Sequence, residues 1–457
     1  MTLVLGALSS CNKWLDVQPK TELKQDELFS SEQGFTEALV GAYVSMTSPA
    51  TYGRELTFGA LSVMASDYSV NSSSEQAIQS LKPIEGFDYE KNQLKLIIDK
   101  IWLQQYNTIA QLNALLENID GKKEVFTGNN YAMVKGEALA LRAYIHFDLM
   151  RMFAPAYPQV DNQKYLPYVT IYGTSSSQML PVNDFTEKLM KDINEAEQLL
   201  KDDRVNVFGQ ADRKIKMNIL ALRGLKARFY LYVGNTEEAF KSAQEVIDAK
   251  QIFLRPENAD INLDRTIHSE HLFSLFSDQF EQRVFNLLTP EPGLFASVPY
   301  YFTEENKLTN TIFNNQSTDI RFKAPAMLSY QGHLTPHKFI YEDLPSTTLN
   351  AQKYYIPLMK LSEMYYIAAE SASTPEEGLS FLNKVIVNRG LLPLSTAVDL
   401  QEELRKEYRK EFFSEGQFFY FYKRLGIKRI VDSPVIEMLK ETYVFPLPED
   451  EKIYGGR

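Results

Sequence analysis

Residue types that could support catalysis are present, but their spacing forms no recognised active site. His268 and His271 lie three residues apart in "HSEH", and the segment lacks a further acidic or histidine ligand at the spacing of a zinc hydrolase. No Gly-x-Gly-x-x-Gly loop, Walker-type phosphate loop or Gly-x-Ser-x-Gly nucleophile elbow occurs. No catalytic pair for glycoside hydrolysis can be identified among the 59 acidic residues, because such a pair is defined by the distance between its carboxyl groups, which the sequence does not give. We therefore expect no enzyme, no metal site and no cofactor, and leave open a structural divalent cation in the loops.

Two loop groups, "ASDYSVNSSS" and "LFASVPYYFTEEN", combine aromatic rings with polar side chains. A neutral glycan presents patches of C–H bonds between hydroxyls, so flat rings with amide or carboxylate partners suit it. We predict that these loops line one solvent-open hollow. The candidate ligand contacts are Asp67, Tyr68, Asn71, Phe295, Tyr300, Tyr301 and Phe302. Each ring could instead pack its own loop into the core, and a peptide could use the same rings together with backbone pairing.

A third aromatic group is the run of five rings at positions 418–422 in "EGQFFYFYKRLG". Successive side chains on a helix are about 100° apart, so five in a row surround the helix and cannot share one flat surface. A helix that is apolar all round is normally buried. We predict a core helix, with Tyr420 or Tyr422 as the candidates for an outward-facing ring.

The charge balance argues against nucleic acid as a partner. The 457 residues include 48 basic and 59 acidic side chains, which gives a formal charge of −11, and no basic run occurs. Such a chain repels phosphate backbones.

The only cysteine, Cys11, excludes an intrachain disulfide and a multi-cysteine metal site. It follows the apolar "LVLGALSS", and Leu8-Ser9-Ser10-Cys11 is similar to a bacterial lipobox, in which the cysteine carries the lipid anchor. No Lys or Arg precedes the apolar segment, so we expect Met1 to lie inside a longer leader. No later run approaches the roughly 18 apolar residues that span a bilayer. We expect a protein that is soluble or tethered by lipid.

Helical periodicity occurs in both halves of the chain and predicts the helices that hold the candidate loops. In "IWLQQYNTIAQLNALLENI" and "EALALRAYIHFDLMRMFA" apolar residues recur at steps of three and four, which predicts two antiparallel amphipathic helices. In "ARFYLYVGNTEEAFKSAQEVID", residues Ala227, Tyr230, Gly234 and Ala239 have the spacing of a tetratricopeptide repeat. A weaker copy, with Gly378 in place of the alanine, occurs in "KLSEMYYIAAESASTPEEGLSFLNKVI".

Residues 252–355 interrupt the helical pattern with Pro, Asn, Thr and aromatic residues, and "SEHLFSLFS" is typical of a strand. A long non-helical segment in a helical protein is usually functional. The predicted fold is mostly α, with tetratricopeptide-like helical repeats and a loop-rich, partly β ligand-binding insert. We divide the chain into a leader remnant and tether (1–22), an N-terminal helical half with a loop region (23–251, loops 50–93) and a C-terminal half with the insert (252–457, insert 252–355).

Taken together and in order, several segments resemble the SusD/RagB family of bacterial outer-membrane lipoproteins. They are "SCNKWLDVQPKTEL", "ALVGAY", "IWLQQYNTIAQLNALLENI", "EALALRAYIHFDLMRMFA", "ARFYLYVGNTEEAFKSAQEVID", "YYIPLMKLSEMYYIAAESA", "YRKEFFSEGQFFYFYKRLG" and "VFPLPEDE". The resemblance covers essentially the whole chain. The family also has a buried helix at the place of the aromatic run, and Tyr420 and Tyr422 depart from its more polar pattern.

The resemblance implies non-catalytic capture of oligosaccharides at the cell surface, with a lipid on Cys11 as the anchor. It implies a SusC-like TonB-dependent transporter as the partner for import. No individual ligand residue is carried over, because the loops match no fixed motif. Three alternatives stay open: a peptide-binding member of the same family, a helical-repeat scaffold without a small ligand, and a glycoside hydrolase.

Overall fold

The structure, a computed structural model, describes residues 25–70, 79–157, 161–205, 213–255, 260–288, 301–323, 327–330, 333–341 and 351–454. Four of the predicted functional residues lie outside these ranges: Cys11, Asn71, Phe295 and Tyr300.

Helices dominate the described part of the chain. The main α-helices are α1 (Glu32–Met46), α2 (Ala60–Met64), α3 (Lys82–Glu85), α4 (Asn92–Ile119), α5 (Asn130–Phe153), α6 (Val182–Leu199), α7 (Ile219–Tyr232), α8 (Thr236–Asp248), α9 (Phe280–Leu288), α10 (Ile320–Lys323), α11 (Leu361–Ser371), α12 (Pro375–Asn388), α13 (Leu400–Glu411), α14 (Gln417–Leu425) and α15 (Glu449–Tyr454). Among the residues described, no helix is both long enough and apolar enough to cross a bilayer.

Within the residues that the structure describes, short strands form three two-stranded antiparallel sheets. The strands are β1 (Lys164–Pro167), β2 (Met179–Pro181), β3 (His271–Phe276), β4 (Met327–Tyr330), β5 (His333–Pro336) and β6 (Tyr355–Lys360). They pair as β1 with β2, β3 with β6 and β4 with β5. The strand predicted in "SEHLFSLFS" is confirmed as β3, which is buried over most of its length.

The first predicted helix pair is confirmed as α4 and α5, which pack antiparallel. The ring of Trp102, in the first half of α4, lies 4.8 Å from that of Phe153 at the end of α5. Further along, the Arg142 guanidinium on α5 donates to the side-chain oxygen of Asn113 on α4 at 2.8 Å. Because α5 is buried on nearly all sides, it forms the centre of the N-terminal half.

The repeat-like pairs are confirmed as α7 with α8 and α11 with α12. Helix α8 packs against both α7 and α11, so the two pairs form one continuous stack. Gly234 ends the α7 region at φ 78°, a conformation that suits glycine. A buried bidentate ion pair between Arg228 and Glu363, with both bonds at 2.6 Å, joins α7 to α11.

A buried ionic network connects the insert to the closing helices. Its cations are Arg321, Lys338, Lys360, Arg389 and Lys410, and its carboxylates are those of Glu270, Asp319, Glu407, Glu411 and Glu415. Five positive charges therefore face five negative ones. Buried charges are tolerated when they are paired and hydrogen-bonded. The network fixes the insert on the rigid helices.

The five-ring segment is confirmed as core, in helix α14. Its rings contact other rings on several sides, for example Phe421 with Tyr408 at 4.7 Å and Phe418 with Tyr422 at 4.3 Å. The predicted outward exceptions are wrong, because Tyr420 and Tyr422 are both buried. The Tyr420 ring faces the Arg151 guanidinium at 3.7 Å, which accommodates a phenol ring inside the protein.

Candidate functional site

The two predicted loop groups do meet in space. The backbone N–H of Ser69 donates to the carbonyl of Phe302 at 2.8 Å, and the N–H of Glu304 donates to the Ser69 hydroxyl at 2.9 Å. The Thr303 hydroxyl donates to the carbonyl of Asp67 at 2.9 Å. These bonds join the segment before residue 70 to the segment after residue 301.

The rings at this junction are buried, which corrects the expectation that they line an open hollow. Tyr68, Tyr301 and Phe302 are only 1%, 3% and 1% exposed. The rings of Tyr68 and Tyr301 contact each other at 5.0 Å, and the Tyr68 hydroxyl donates to the Phe58 carbonyl at 2.8 Å. In this conformation no face of these three rings is free for a ligand. We call these three packed rings the ring floor, because they support the junction of the two loops.

Asp67 is also buried and faces the core. One of its carboxylate oxygens accepts from the backbone N–H of Ser414 at 3.0 Å. Burial raises the pKa of Asp67, although the nearby Arg409 charge opposes this shift. The carboxylate therefore holds the turn before α14 rather than facing solvent.

An open hollow of about 350 Å³ lies directly beside this ring floor. Its volume is within the usual range for ligand pockets. We call it the junction groove, defined by its described lining residues Ser69, Val70, Glu85, Glu304, Asn306, Lys307, Asn310, Thr311 and Asp432. Amides, hydroxyls, carboxylates and one ammonium group are therefore presented together. Such a surface can both donate to and accept from a hydroxyl-rich ligand.

A π-helical turn, Lys307–Ile312, presents much of this polar surface. The turn directs Leu308 and Ile312 into a small apolar cluster with Phe313 and Phe413. Its wider winding is visible in the bond from the Phe313 N–H to the Leu308 carbonyl at 2.9 Å. The exposed side chains of the same segment form one wall of the groove. Single π-turns often occur at functional sites.

Two further lining residues come from distant parts of the chain. Glu85 ends the short helix α3, and Asp432 lies in the irregular segment after α14. That segment is fixed by the buried side chains of Ile430 and Met438 and by a bond from the Met438 N–H to the Lys428 carbonyl at 2.8 Å.

Lys307 is the basic side chain of the groove. Its ammonium group donates to the Tyr68 carbonyl at 2.6 Å and to the Ser66 hydroxyl at 3.1 Å, so it also ties the two loops together. Burial lowers the pKa of Lys307 to about 8, and the Arg409 charge adds to this effect. Three carboxylates oppose the shift: those of Asp432, Glu85 and Asp67.

A second, wider hollow of about 700 Å³ lies over helices α6, α7 and α8. Several of its charged groups pair with one another. Glu197 accepts from Arg223 at 3.2 Å and from Lys226 at 2.8 Å. These ion pairs are partly solvated and belong to the outer face of the repeats. The junction groove is the better candidate, because it combines the predicted loops with polar groups that face solvent.

The histidines of "HSEH" are structural. Both ring nitrogens of buried His271 have partners, the Thr266 carbonyl at 3.0 Å and the Ser274 hydroxyl at 2.7 Å. The His268 ring stacks on Tyr355 with centroids 4.5 Å apart. Across the described ranges, no cluster of three or more His, Cys, Asp or Glu side chains is placed to hold a metal ion.

The sequence identified the two loops but not the groups that face solvent. Aromatic residues were the sequence signal for the site, and the structure buries those that it describes, Tyr68, Tyr301 and Phe302. The polar lining residues between 304 and 311 follow directly after the predicted rings. The polar end of "YYFTEEN" was the sequence signal that could have identified them. No sequence signal pointed to Glu85 or Asp432, because acidic residues are common throughout the chain.

The fold and the groove together define a helical-repeat scaffold with a polar groove built by the insert. A family model described as "Starch-binding associating with outer membrane", SusD-like, matches residues 13–231. The chain is 22% identical to the SusD-like protein P38 of Formosa agariphila, over 97% of this chain and 93% of that protein. The chain is therefore similar to SusD-like proteins over most of its length, in agreement with its resemblance to the SusD/RagB family.

Solved structures have the same fold. A SusD-like carbohydrate binding protein from Bacteroides vulgatus has a TM-score of 0.73 at 18% identity and covers 93% of this chain and 97% of its own. A SusD superfamily protein from Bacteroides thetaiotaomicron has a TM-score of 0.74 at 20% identity, with 93% and 98% coverage. A laminarin binding SusD-like protein has a TM-score of 0.68 at 19% identity, with 93% and 97% coverage.

Proposed function

We propose that this protein captures oligosaccharides in the junction groove at the bacterial outer-membrane surface and passes them unaltered to a SusC-like TonB-dependent transporter. The groove carries the proposal, because its amides, hydroxyls and carboxylates match the alternating donors and acceptors of a sugar. The family description and the laminarin binding relative support the sugar as the ligand class. A lipid on Cys11 would tether the protein.

The groove offers many modest contacts rather than one dominant anchor. A neutral hydrogen bond contributes about 0.5–1.5 kcal/mol, and one to a charged group about 1.5–3 kcal/mol. Useful affinity therefore requires several sugar hydroxyls to be bound at once. Rigid support by the ring floor and by the ionic network lowers the ordering cost of binding.

The test is calorimetric titration with malto-, cello-, laminari- and xylo-oligosaccharides and with a mixed peptide library. The Asn306→Ala and Asn310→Ala changes remove exposed amides from the groove. Each should weaken sugar binding by about 2- to 12-fold, which corresponds to one neutral hydrogen bond.

The matched control is Gln244→Ala, which removes an exposed amide from the hollow over the repeats. It should leave affinity unchanged. Peptide binding without binding to any sugar would contradict the proposal and favour the peptide branch of the family. An equal loss in all three variants would contradict the groove as the site.

Tethering and partnership need separate tests in cells. Cys11→Ser in the full-length protein should release it from the membrane fraction, while its sugar affinity stays the same. The transporter should copurify with the tethered protein after gentle solubilisation. A Cys11→Ser variant that stays in the membrane fraction would contradict lipid tethering.

A further inference from the structure

The junction groove is acidic. Three of its nine described lining residues carry carboxylates, Glu85, Glu304 and Asp432. Lys307 is the one basic residue among them. Its ammonium already donates to a backbone carbonyl and a hydroxyl of the neighbouring loop, at 2.6 and 3.1 Å. Three negative charges and one positive charge leave the lining with a net charge of −2.

The segments that continue the two loops in sequence are also acidic. Residues 71–78 and 289–300 each contain one glutamate and neither lysine nor arginine. The whole protein has a formal charge of −11. A ligand that bears sulfate or carboxylate groups is therefore repelled by the negative charge of the groove, and by that of the whole protein as it approaches.

Charge in such a groove acts mainly on selection between ligands. Carboxylates accept hydrogen bonds well from hydroxyls and from ammonium groups. They cannot donate to another carboxylate or to a sulfate when ionised, and unpaired charges of the same sign disfavour the wrong partner. A receptor for polyanions would instead present Arg or Lys at the ligand.

We propose that the junction groove takes uncharged or amino-bearing oligosaccharides and rejects those that carry uronate or sulfate groups. This inference rests on the proposed function and names its ligand class. The expected order of affinity is amino-bearing, then neutral, then anionic. The contrast arises from the exposed carboxylates of Glu304 and Asp432, which line the groove from segments distant in the sequence.

The experiment compares matched ligands by calorimetry at pH 6 in 50 mM and 300 mM NaCl. The probes are maltohexaose, cellohexaose and laminarihexaose, each beside its C6-oxidised uronate form, with chitosan hexaose beside cellohexaose. Wild type should bind at least one neutral probe, and bind its uronate form at least tenfold more weakly at low salt. This gap, the difference in affinity between a neutral probe and its uronate form, should narrow at 300 mM NaCl because salt screens exposed charges.

The double variant Glu304→Gln, Asp432→Asn should also narrow the gap at low salt. Asn tolerates the left-handed backbone of Asp432, where φ is 66°. The control Asp248→Asn removes one exposed carboxylate from the repeat surface and should leave the gap as it is. Circular dichroism confirms that each variant is folded.

Two results would overturn the inference while sugar binding stands. One is a uronate probe that binds as tightly as its neutral form. The other is a gap that the double variant leaves unchanged. Failure of every oligosaccharide to bind would instead contradict the proposed function, and the inference with it.

Discussion

The burial of Tyr68 makes a sharp prediction, because a structural ring and a ligand-stacking ring respond differently to truncation. Its ring is 1% exposed and contacts Tyr301 at 5.0 Å and Phe413 at 6.4 Å. Its hydroxyl donates to the Phe58 carbonyl at 2.8 Å. We expect Tyr68→Ala to destabilise the protein and Tyr68→Phe to do so only mildly.

The magnitudes follow from burial. Truncating a buried aromatic residue to alanine costs about 3–5 kcal/mol, whereas losing one buried hydrogen bond costs roughly 1–3 kcal/mol. An average unfolding entropy of about 2.1 cal/mol/K per residue gives the 457-residue chain about 1 kcal/mol/K in a single transition. Tyr68→Ala should therefore lower Tm by roughly 3–5 °C and Tyr68→Phe by roughly 1–3 °C.

Differential scanning calorimetry and sugar titration on the same samples provide the assay. Tyr68→Phe should keep its sugar affinity within about twofold. The control Tyr172→Ala truncates a tyrosine that is 39% exposed and should change the free energy of unfolding by no more than about 0.5 kcal/mol. A Tyr68→Ala protein with unchanged Tm and weakened sugar binding would refute our account, since it would mean that the ring contacts ligand.

Three further predictions concern the support and the charge of the groove. Glu411→Gln should lower the free energy of unfolding by about 3–5 kcal/mol in urea titrations, because the Arg389 guanidinium loses a buried carboxylate partner at 3.1 Å. Gly416→Ala should destabilise by roughly 1–3 kcal/mol, since φ is 74° and a Cβ would lie 2.5 Å from the Leu56 carbonyl oxygen. Between pH 7 and 9, neutralisation of Lys307, whose pKa burial lowers to about 8, should weaken uronate binding relative to neutral binding.

Matched controls separate these effects from general damage. Gly121→Ala adds a methyl group where nothing lies within 4 Å, and should be close to neutral.

For the ionic network, the dependence of the free energy of unfolding on acid pH is a second measurement. Burial acts to raise the pKa of Glu411, but the charges of Arg389, Lys360 and Arg321 outweigh it and hold the pKa well below its ordinary value. Its stabilisation is therefore complete above about pH 4.3 and is lost as pH falls further. Glu411→Gln should flatten this decline.

The helical scaffold was predictable from sequence because its signals are local. Steps of three and four located α4 and α5, and the spacing of Ala227, Gly234 and Ala239 located a repeat pair. The five-ring run was correctly predicted as core. Its two supposed exceptions were wrong, because the cationic partner of Tyr420 is Arg151, on a helix about 270 residues earlier, which no local pattern reveals.

The groove was predictable only in part. Composition selected the loops that meet, but burial is a property of tertiary packing, and the rings of Tyr68 and Tyr301 pack against each other instead of facing solvent. The polar lining depends on a π-turn and on two acidic residues from distant elements, the buried Glu85 and the exposed Asp432. Polar residues of these types are frequent everywhere in the chain, so their convergence follows only from the fold.

The central claim is that the junction groove binds sugar, and a structure with a bound oligosaccharide tests it most directly. Crystals soaked with the best-binding neutral hexaose should show sugar hydroxyls within hydrogen-bond distance of the side chains of Asn306 and Asn310, above the packed ring of Tyr68. A sugar bound elsewhere, for example over the repeat helices, with the groove holding only water, would contradict the account.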